Sequence, residues 1–370
     1  MKIRSSRISV SIVRAILRRC STASKRGLLK TILSFFAFFK LLLARYRPVD
    51  FIALRQDVWE LDEDEYVDSF KASPSEETPL VQSSSSRRGK KKERVAQLVP
   101  AGDLGYSGST FFTTPNAKFL IKSLPRRFEH DFFARELLDP YIAHMRRQPH
   151  SLLVRITDLV YAPHASLGGM LGTAPTHHIV MENLLFGKDL ETTELEKERW
   201  ETYDLKPSDY FFPERDIAGG RLAPDSVLDR LIDEFPGKVH VSHDHKKQLM
   251  ALLEADSQLL ADHNAVDYSL FLVRHPGPNS IPARPTPAPV VKSNAGVWRS
   301  GVDDTDGRWT YRAVVLDFFW AKHTLRARSM TGVVKLFNKM AHKGPMTITA
   351  EPKEYRQRFL GMVEEMVVGS

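Results

Sequence analysis

Residues 253–273 read LEADSQLLADHNAVDYSLFLV, and residues 313–319 read AVVLDFF. The first segment starts with apolar residues three and four apart, which is typical of a helix, and continues as a short apolar run after Asp267. In the second segment Asp317 ends a similar apolar run. A carboxylate beside a buried strand is costly unless it meets a cation, and Mg²⁺ that bridges nucleotide phosphates is such a cation. Each aspartate taken singly is also compatible with an ordinary capping or turn residue.

A glycine-containing turn and a lysine precede these segments. Residues 105–109 read GYSGS, and the strand-like run KFLIK ends at Lys122. A glycine turn lets backbone N–H groups approach phosphate oxygens, and a lysine on a strand can hold the phosphates that are not transferred. A phosphate cradle, a lysine and metal-binding carboxylates are the parts that phosphoryl transfer needs. Alone, the same residues also describe a plain hairpin turn and a solvated lysine.

A further acid and base lie in TYDLK at residues 202–206. In an extended segment, Asp204 and Lys206 are two residues apart and share one face. Such a pair can position a phosphorylated substrate or form a surface ion pair, and the residue types alone leave both readings open.

Composition excludes several classes of protein. The 370 residues are 42% hydrophobic and 26% charged, as in ordinary globular chains, and the single cysteine, Cys20, excludes an internal disulfide. The net charge is +8, but twelve of the 53 Lys and Arg lie in residues 1–49, which contain no Asp or Glu. The remainder therefore carries 41 basic and 45 acidic side chains, which speaks against a nucleic-acid partner for the main domain.

Residues 1–45 form a basic amphipathic segment. Apolar residues between Ile8 and Leu17 recur at helical spacing among arginines, which predicts a helix with one apolar and one cationic face. Such a helix can lie on anionic lipid, can dock on the rest of the protein, or can act as a mitochondrial presequence, and all three remain open. Between Lys30 and Lys40 only about nine residues are uninterrupted by charge, too few for a membrane span.

The main domain is predicted to span residues 46–370, with strands in its first part and more helices later. This pattern predicts an α+β enzyme of two lobes with antiparallel sheets and flanking helices. Residues 72–94 are polar and residues 275–307 are rich in proline and glycine, so both are predicted to be disordered insertions.

In order along the chain, GYSGSTFF, FLIKSL, HHIVMENLLF, TYDLK, the segment around VDYSLF and AVVLDFF resemble the signature segments of the phosphatidylinositol phosphate kinase domain. The resemblance covers about residues 46–370. It implies the two-lobed fold of that family, which is similar to SAICAR synthase and distantly similar to protein kinases. It also implies ATP and Mg²⁺ as cofactors, bound between the lobes.

The resemblance assigns roles residue by residue. Lys122, Asp267 and Asp317 would be the catalytic residues, with Asp317 as a metal ligand and Asp267 either as a metal ligand or as the residue that orients the inositol hydroxyl. A glutamate from the first helix normally fixes the lysine, and Glu129 and Glu136 are both candidates. The residues that would bind ATP are Gly105, Ser107, Gly108, Ser109 and Lys122. The residues that would face the lipid headgroup are Asp204, Lys206, Lys335 and Lys339.

The implied activity is phosphorylation of the inositol ring of a phosphatidylinositol monophosphate, with phosphatidylinositol 4-phosphate as the expected substrate. The expected partners are the phosphoinositide and an anionic membrane surface, the expected location is the cytosolic face of a membrane, and a homodimer stays open. Two departures from the family pattern, Pro207 where glycine is usual and Tyr106 where lysine is usual, put the substrate in doubt more than the ATP chemistry. The alternatives are a catalytically inactive phosphoinositide-binding scaffold and a kinase for free inositol polyphosphates.

Overall fold

The computed structural model describes residues 2–18, 41–71, 97–101, 109–171, 174–188, 197–207, 235–280, 294–322 and 350–370. Within these ranges the chain forms two antiparallel sheets with helices packed against them. This confirms the predicted α+β class. Among the same residues, no helix combines the length and the apolar character that a membrane crossing requires.

The first sheet has six strands in the order β1-β5-β6-β4-β3-β2, and all neighbouring strands are antiparallel. Its strands are β1 (Ala44–Arg45), β2 (Val99–Pro100), β3 (Phe111–Thr113), β4 (Phe119–Ser123), β5 (Ile156–Tyr161) and β6 (His177–Glu182). Side chains alternate between the two faces of a strand. Phe119 and Ile121 of β4 therefore face one core cluster, while Lys122 lies on the opposite face.

Helix α1 (Lys2–Ile16) covers the face of the sheet that Phe119 and Ile121 occupy. Ile8, Ile12 and Ile16 are all buried in the cluster that contains these two residues. The apolar face of α1 is thus used for docking on the protein and is not free to enter lipid. Of the three roles that the sequence left open for this helix, the structure shows docking on the rest of the protein, and burial against the sheet already removes the apolar face from water.

A buried ion network attaches the next helices to β5. These helices are α2 (Pro48–Ala53), which continues as a π-helical turn to Val58, and α3 (Glu63–Asp68). Asp158 of β5 is fully buried and lies 2.8 Å from Arg45 Nε and 3.5 Å from Arg55 Nη1. Arg55 also bonds Glu63 at 2.7 and 2.8 Å, and Tyr66 bonds Asp158 at 3.2 Å. Burial of the charges is therefore compensated by pairing, as such groups require.

Helices α4 (Arg127–Phe132) and α5 (Leu138–Arg147) are joined by the π-helical turn Phe133–Leu137 and contribute to the other core cluster. A short helix, α6 (Leu167–Met170), separates β5 from β6, and its Ser166 cap accepts a hydrogen bond from the Gly169 amide.

The second sheet has the order β11-β12-β10-β7 and is also antiparallel. Helix α7 (His243–Asp262), capped by Ser242, packs with α9 (Pro352–Met366), which has proline at its first position, where the missing N–H costs nothing. Two short pairs complete the fold, β13 with β9 and β14 with β8. These strands are β7 (Glu201–Leu205), β8 (Val239–Val241), β9 (Ala265–Val266), β10 (Ser269–Pro276), β11 (Val302–Asp303), β12 (Trp309–Leu316), β13 (Trp320–Ala321) and β14 (Val367–Gly369).

Residues 151–155 link the two sheets. Val154 N donates to Val315 O at 3.0 Å, and Val315 N donates to Leu152 O at 2.6 Å, so this segment runs alongside β12 before β5 begins. Asp256 of α7 is buried and accepts hydrogen bonds from Ser151 Oγ at 2.7 Å and from Leu152 N at 2.6 Å. The α7 helix thereby fixes the link between the sheets.

The predicted insertion at residues 275–307 is shorter than the sequence indicated. Residues 275–280 complete β10 and its turn, and residues 294–307 contain helix α8 (Val297–Ser300) and β11. Arg299 of α8 is buried, pairs with Glu182, and donates to Ser151 O and Leu153 O at 2.5 Å each. This buried arginine explains why a proline-rich and polar stretch is nevertheless ordered at its end. Residues 281–293 and 72–94 lie outside the described residues.

Candidate active site

Lys122 projects from β4 on the face opposite α1. It is paired in register with Phe111 of β3 and Ile179 of β6, and only 6% of the residue is exposed. Its Nζ contacts Asp317 Oδ1, 195 residues further along the chain. The first sheet and the end of β12 in the second sheet therefore meet at this ion pair.

Asp267 and Asp317 occupy matching interruptions in two adjacent strand pairs. Ser269 pairs with Leu316 in the β10–β12 ladder, and Val266 pairs with Trp320 in the β9–β13 ladder, so each aspartate lies in the gap between the two ladders. This register explains why the two residues come together. Both have left-handed backbone angles, with φ of 67° at Asp267 and 61° at Asp317. Such angles are uncommon outside glycine and collect at functional sites.

Lys206 completes the cluster. Leu205, the last residue of β7, pairs with Leu270 of β10, which carries Lys206 toward the residues that precede β10. Its Nζ lies 3.0 Å from Asp267 Oδ1. Asp204 lies two residues earlier, in register with Phe271. Lys206 therefore contacts a predicted catalytic residue, which adds to the headgroup role expected from sequence.

The electrostatics of the cluster favour ionised side chains. Burial alone would raise the pKa of Asp317, but Lys122, Lys206 and Arg126 outweigh it and hold that pKa below its usual value. Burial alone would lower the pKa of Lys206, but Asp267, Asp204 and Asp317 outweigh it and raise that pKa. The neighbouring charges therefore favour the ionised forms of Asp317 and Lys206.

Glu129, and not Glu136, faces this cluster. Glu129 of α4 is buried, and both Lys122 and Asp317 influence its titration, whereas Glu136 is exposed. Its Oε1 accepts hydrogen bonds from Trp320 Nε1 at 3.2 Å and from Arg126 Nη1 at 3.4 Å. Its Oε2 is buried and has no hydrogen-bond partner among the described residues. Burial raises the pKa of Glu129, against the opposing effects of Arg126 and Lys122.

Only some of the other predicted site residues belong to the described part of the chain. Ser109 is described and buried just before β3. Gly105, Ser107 and Gly108 lie between β2 and β3 in sequence but outside the described residues, as do Lys335 and Lys339. Of the expected ATP-binding residues, only Ser109 and Lys122 therefore have a described position.

The residues present fit a divalent cation with a nucleotide. Two carboxylates lie in one cluster, and 41% of the Asp317 side chain and 16% of the Asp267 side chain are accessible. Carboxylate oxygens are the ligands that Mg²⁺ prefers, and Lys122 and Lys206 lie where phosphate charge would be neutralised. Glu129 Oε2, buried and without a hydrogen-bond partner among the described residues, belongs to a side chain that Lys122 influences electrostatically.

The fold and the cluster define a protein of the two-lobed α+β kinase-like class, in which Lys122 of the first sheet contacts Asp317 at the end of β12 and Lys206 contacts Asp267 beside it. Residues 92–285 match the model of the phosphatidylinositol-4-phosphate 5-kinase family. That is more than half of the chain, and the chain belongs to this family. Asp317 lies beyond the matched residues, so its assignment to the site rests on its contact with Lys122.

Three curated proteins are similar to this chain. A phosphatidylinositol 4-phosphate 5-kinase of Plasmodium falciparum is 29% identical over 182 residues, which are 46% of this chain and 9% of that protein. A probable phosphatidylinositol phosphate kinase of Dictyostelium discoideum is 28% identical over 186 residues, 49% of this chain and 23% of that protein. The phosphatidylinositol 4-phosphate 5-kinase type-1 beta of Gallus gallus is 28% identical over 182 residues, 48% and 30% respectively. The chain thus matches less than a third of the length of each of these relatives.

Proposed function

We propose that the chain is an ATP- and Mg²⁺-dependent lipid kinase that phosphorylates an inositol ring hydroxyl of a phosphatidylinositol monophosphate, with phosphatidylinositol 4-phosphate as the expected substrate. The observation that carries this proposal is the convergence of Lys122, Lys206, Asp267 and Asp317 at the meeting point of the two sheets. The family and the printed names of the relatives support the substrate class.

In this mechanism Asp317 would hold the metal, and Lys122 would leave Asp317 to bind the non-transferred phosphates. The bound Mg²⁺·ATP supplies the phosphoryl group and neutralises its charge. Asp267 would orient the ring hydroxyl and accept its proton, or serve as a second metal ligand. Lys206, 3.0 Å from Asp267, would hold that carboxylate in position and balance negative charge that develops during transfer.

The membrane is the expected place of action, and the exposed side of α1 supports it. Arg4, Arg7 and Arg14 are exposed and fall within a sector of about 80° on the helix. Because the apolar face of α1 is docked, we propose contact by charge with anionic headgroups and without insertion into the acyl region. The expectation that Lys335 and Lys339 face the headgroup stays a prediction, because both lie outside the described residues.

The test is transfer of ³²P from ATP to vesicles that contain single phosphoinositides, followed by chromatography of the headgroups. The wild-type chain should convert phosphatidylinositol 4-phosphate to the 4,5-bisphosphate, and Asp317→Asn should lower kcat by about 10³-fold through loss of a metal ligand. Asp306→Asn, at an exposed turn, is the matched control. Headgroup binding by the wild-type chain without transfer would support the scaffold, and transfer to free inositol polyphosphates without vesicles would support the soluble substrate.

A further inference from the structure

Trp320 occupies an unusual place between the two halves of the candidate site. Trp320 follows Asp317 by three residues. Its backbone pairs in the β9–β13 ladder with Val266, which directly precedes Asp267. Its indole reaches in the other direction and donates to Glu129 of α4 at 3.2 Å. One residue thus connects the strand beside both aspartates to the helix that carries the glutamate.

The indole is held on two further sides. The Phe128 ring meets it edge to face, with ring centroids 4.8 Å apart and an interplanar angle of 78°. The Arg126 guanidinium lies 5.0 Å from the Trp320 ring centroid and also bonds the Glu129 carboxylate at 3.4 Å. Aromatic and cation–π contacts of this kind restrict the ring, so the direction of the indole N–H is fixed.

The two oxygens of the Glu129 carboxylate differ in their hydrogen bonds. Oε1 takes both hydrogen bonds, whereas the buried Oε2 has no partner among the described residues. A buried carboxylate oxygen without a partner is energetically unfavourable and calls for an explanation. Lys122 influences Glu129 electrostatically but is paired with Asp317. If Asp317 held a metal, Lys122 would lose its present partner and Oε2 would be a carboxylate oxygen with which it could pair.

We propose that Trp320 is a positioning residue that holds Glu129 so that its free Oε2 can receive Lys122 when nucleotide binds. This deepens the proposed function, on which it rests for the identity of the nucleotide. Trp320 acts through Glu129, and the same contact aligns α4 with the strand that follows Asp317. Loss of the indole N–H leaves the buried carboxylate with fewer donors and a less defined orientation, which weakens its hold on Lys122.

The test is the Kd of Mg²⁺·AMP-PNP, measured by calorimetry on the full chain. Trp320→Phe keeps an aromatic ring beside Phe128 and removes the N–H donor, and it should weaken binding by about 5- to 10-fold, the size expected for loss of an ordinary hydrogen bond. Glu129→Gln should weaken binding by a similar factor. Because Trp320 acts through Glu129, adding Trp320→Phe to Glu129→Gln should cause less than about a further 2-fold loss. Trp309→Phe, in β12, is the matched control and should bind like wild type.

Wild-type affinity in Trp320→Phe, or losses that multiply in the double variant, would overturn the proposal. A measurement that does not need Trp320→Phe to fold is the indole NMR spectrum of the chain, which has five tryptophans. Glu129→Gln should shift an indole N–H signal, and unchanged signals would also overturn the proposal. Nucleotide binding without lipid phosphorylation would overturn only the proposed function, whereas absence of nucleotide binding by the wild-type chain would overturn both.

Discussion

Lys206 Nζ lies 3.0 Å from Asp267 Oδ1, and this contact joins the residue after β7 to the first of the two residues between β9 and β10. The side chains are each 16% exposed, so the pair is largely removed from water. Lys206→Met would leave Asp267 without this cation. We expect kcat for lipid phosphorylation to fall by about 10²-fold, the usual cost of removing a preorganised charge partner. Lys206→Arg keeps the charge and should retain more activity than Lys206→Met; equal activity of wild type and Lys206→Met would contradict the assignment.

Acid sensitivity should arise from the histidines of β6. Burial, and to a lesser extent His177, lowers the pKa of His178 to about 3, and burial followed by His130 lowers the pKa of His177 to about 4. An unfolded histidine titrates near pH 6.5, so below that pH the unfolded chain binds more protons than the folded chain. The contribution of the two neutral histidines to the free energy of unfolding is therefore complete above pH 6.5 and is lost progressively as the pH falls toward 3–4.

Urea unfolding at pH 7.5 and pH 5 measures this loss. His178→Leu removes one titrating group and should make the difference between the two pH values smaller than in wild type. His164→Gln, at an exposed position, should leave the difference unchanged. An equal difference in wild type and His178→Leu would show that His178 does not contribute.

The buried carboxylate of Asp158 should be critical for stability. Asp158→Asn leaves Arg45 and Arg55 buried without their shared carboxylate, and we expect the free energy of unfolding to fall by about 3–5 kcal/mol. Asp139→Asn breaks an exposed ion pair with Arg47 at 2.5 Å and should cost less than about 1 kcal/mol. Chemical denaturation of the wild type and of both variants measures these free energies. A similar loss of stability in the two variants would argue against the importance of the ion network around Asp158.

Docking of α1 predicts that its apolar side matters for folding. Ile12 is fully buried, and Ile12→Ala should lower the free energy of unfolding by about 2–5 kcal/mol through lost burial and a cavity. Val10 is only partly buried, so Val10→Ala should cost clearly less. If Ile12→Ala unfolds at the same denaturant concentration as wild type, α1 is not part of the core.

The exposed arginines of α1 should instead contribute to the binding of anionic vesicles. Reversal of Arg4, Arg7 and Arg14 to Glu should reduce sedimentation with anionic vesicles several-fold, since each basic residue near such a surface contributes about 1 kcal/mol. The matched control reverses Arg135, Arg146 and Arg147, which are exposed on the α4–α5 segment. Equal loss in both triple variants would indicate a general charge effect without a role for this helix.

Much of the fold was predictable because its signals are local. The run KFLIK predicted β4, the helical spacing before Asp267 predicted α7, and the α+β class followed from their order. The meeting of Lys122 with Asp317 was expected from the family resemblance, and the structure brings them into contact. Residue types alone could not have shown this, since 195 residues separate the two.

Other features depended on tertiary contacts that no local pattern reveals. Glu129 and Glu136 were equivalent candidates in sequence, and only the packing of α4 separates the buried one from the exposed one. The order of residues 294–300 depends on Arg299, whose partners Glu182, Ser151 and Leu153 lie far away in the chain. The docking of α1 was open for the same reason, because an amphipathic pattern does not identify the surface that covers its apolar side.

The left-handed backbone at Asp267 and Asp317 limits which replacements report cleanly on chemistry. Glycine, asparagine and aspartate tolerate such angles, whereas other side chains meet a steric penalty of roughly 1–2 kcal/mol per residue. An alanine at either position would therefore strain the main chain as well as delete a carboxylate, and lost turnover could reflect a damaged loop. Asparagine keeps both the shape of the side chain and the tolerance for left-handed backbone angles. It is therefore the informative substitution at Asp267 and at Asp317.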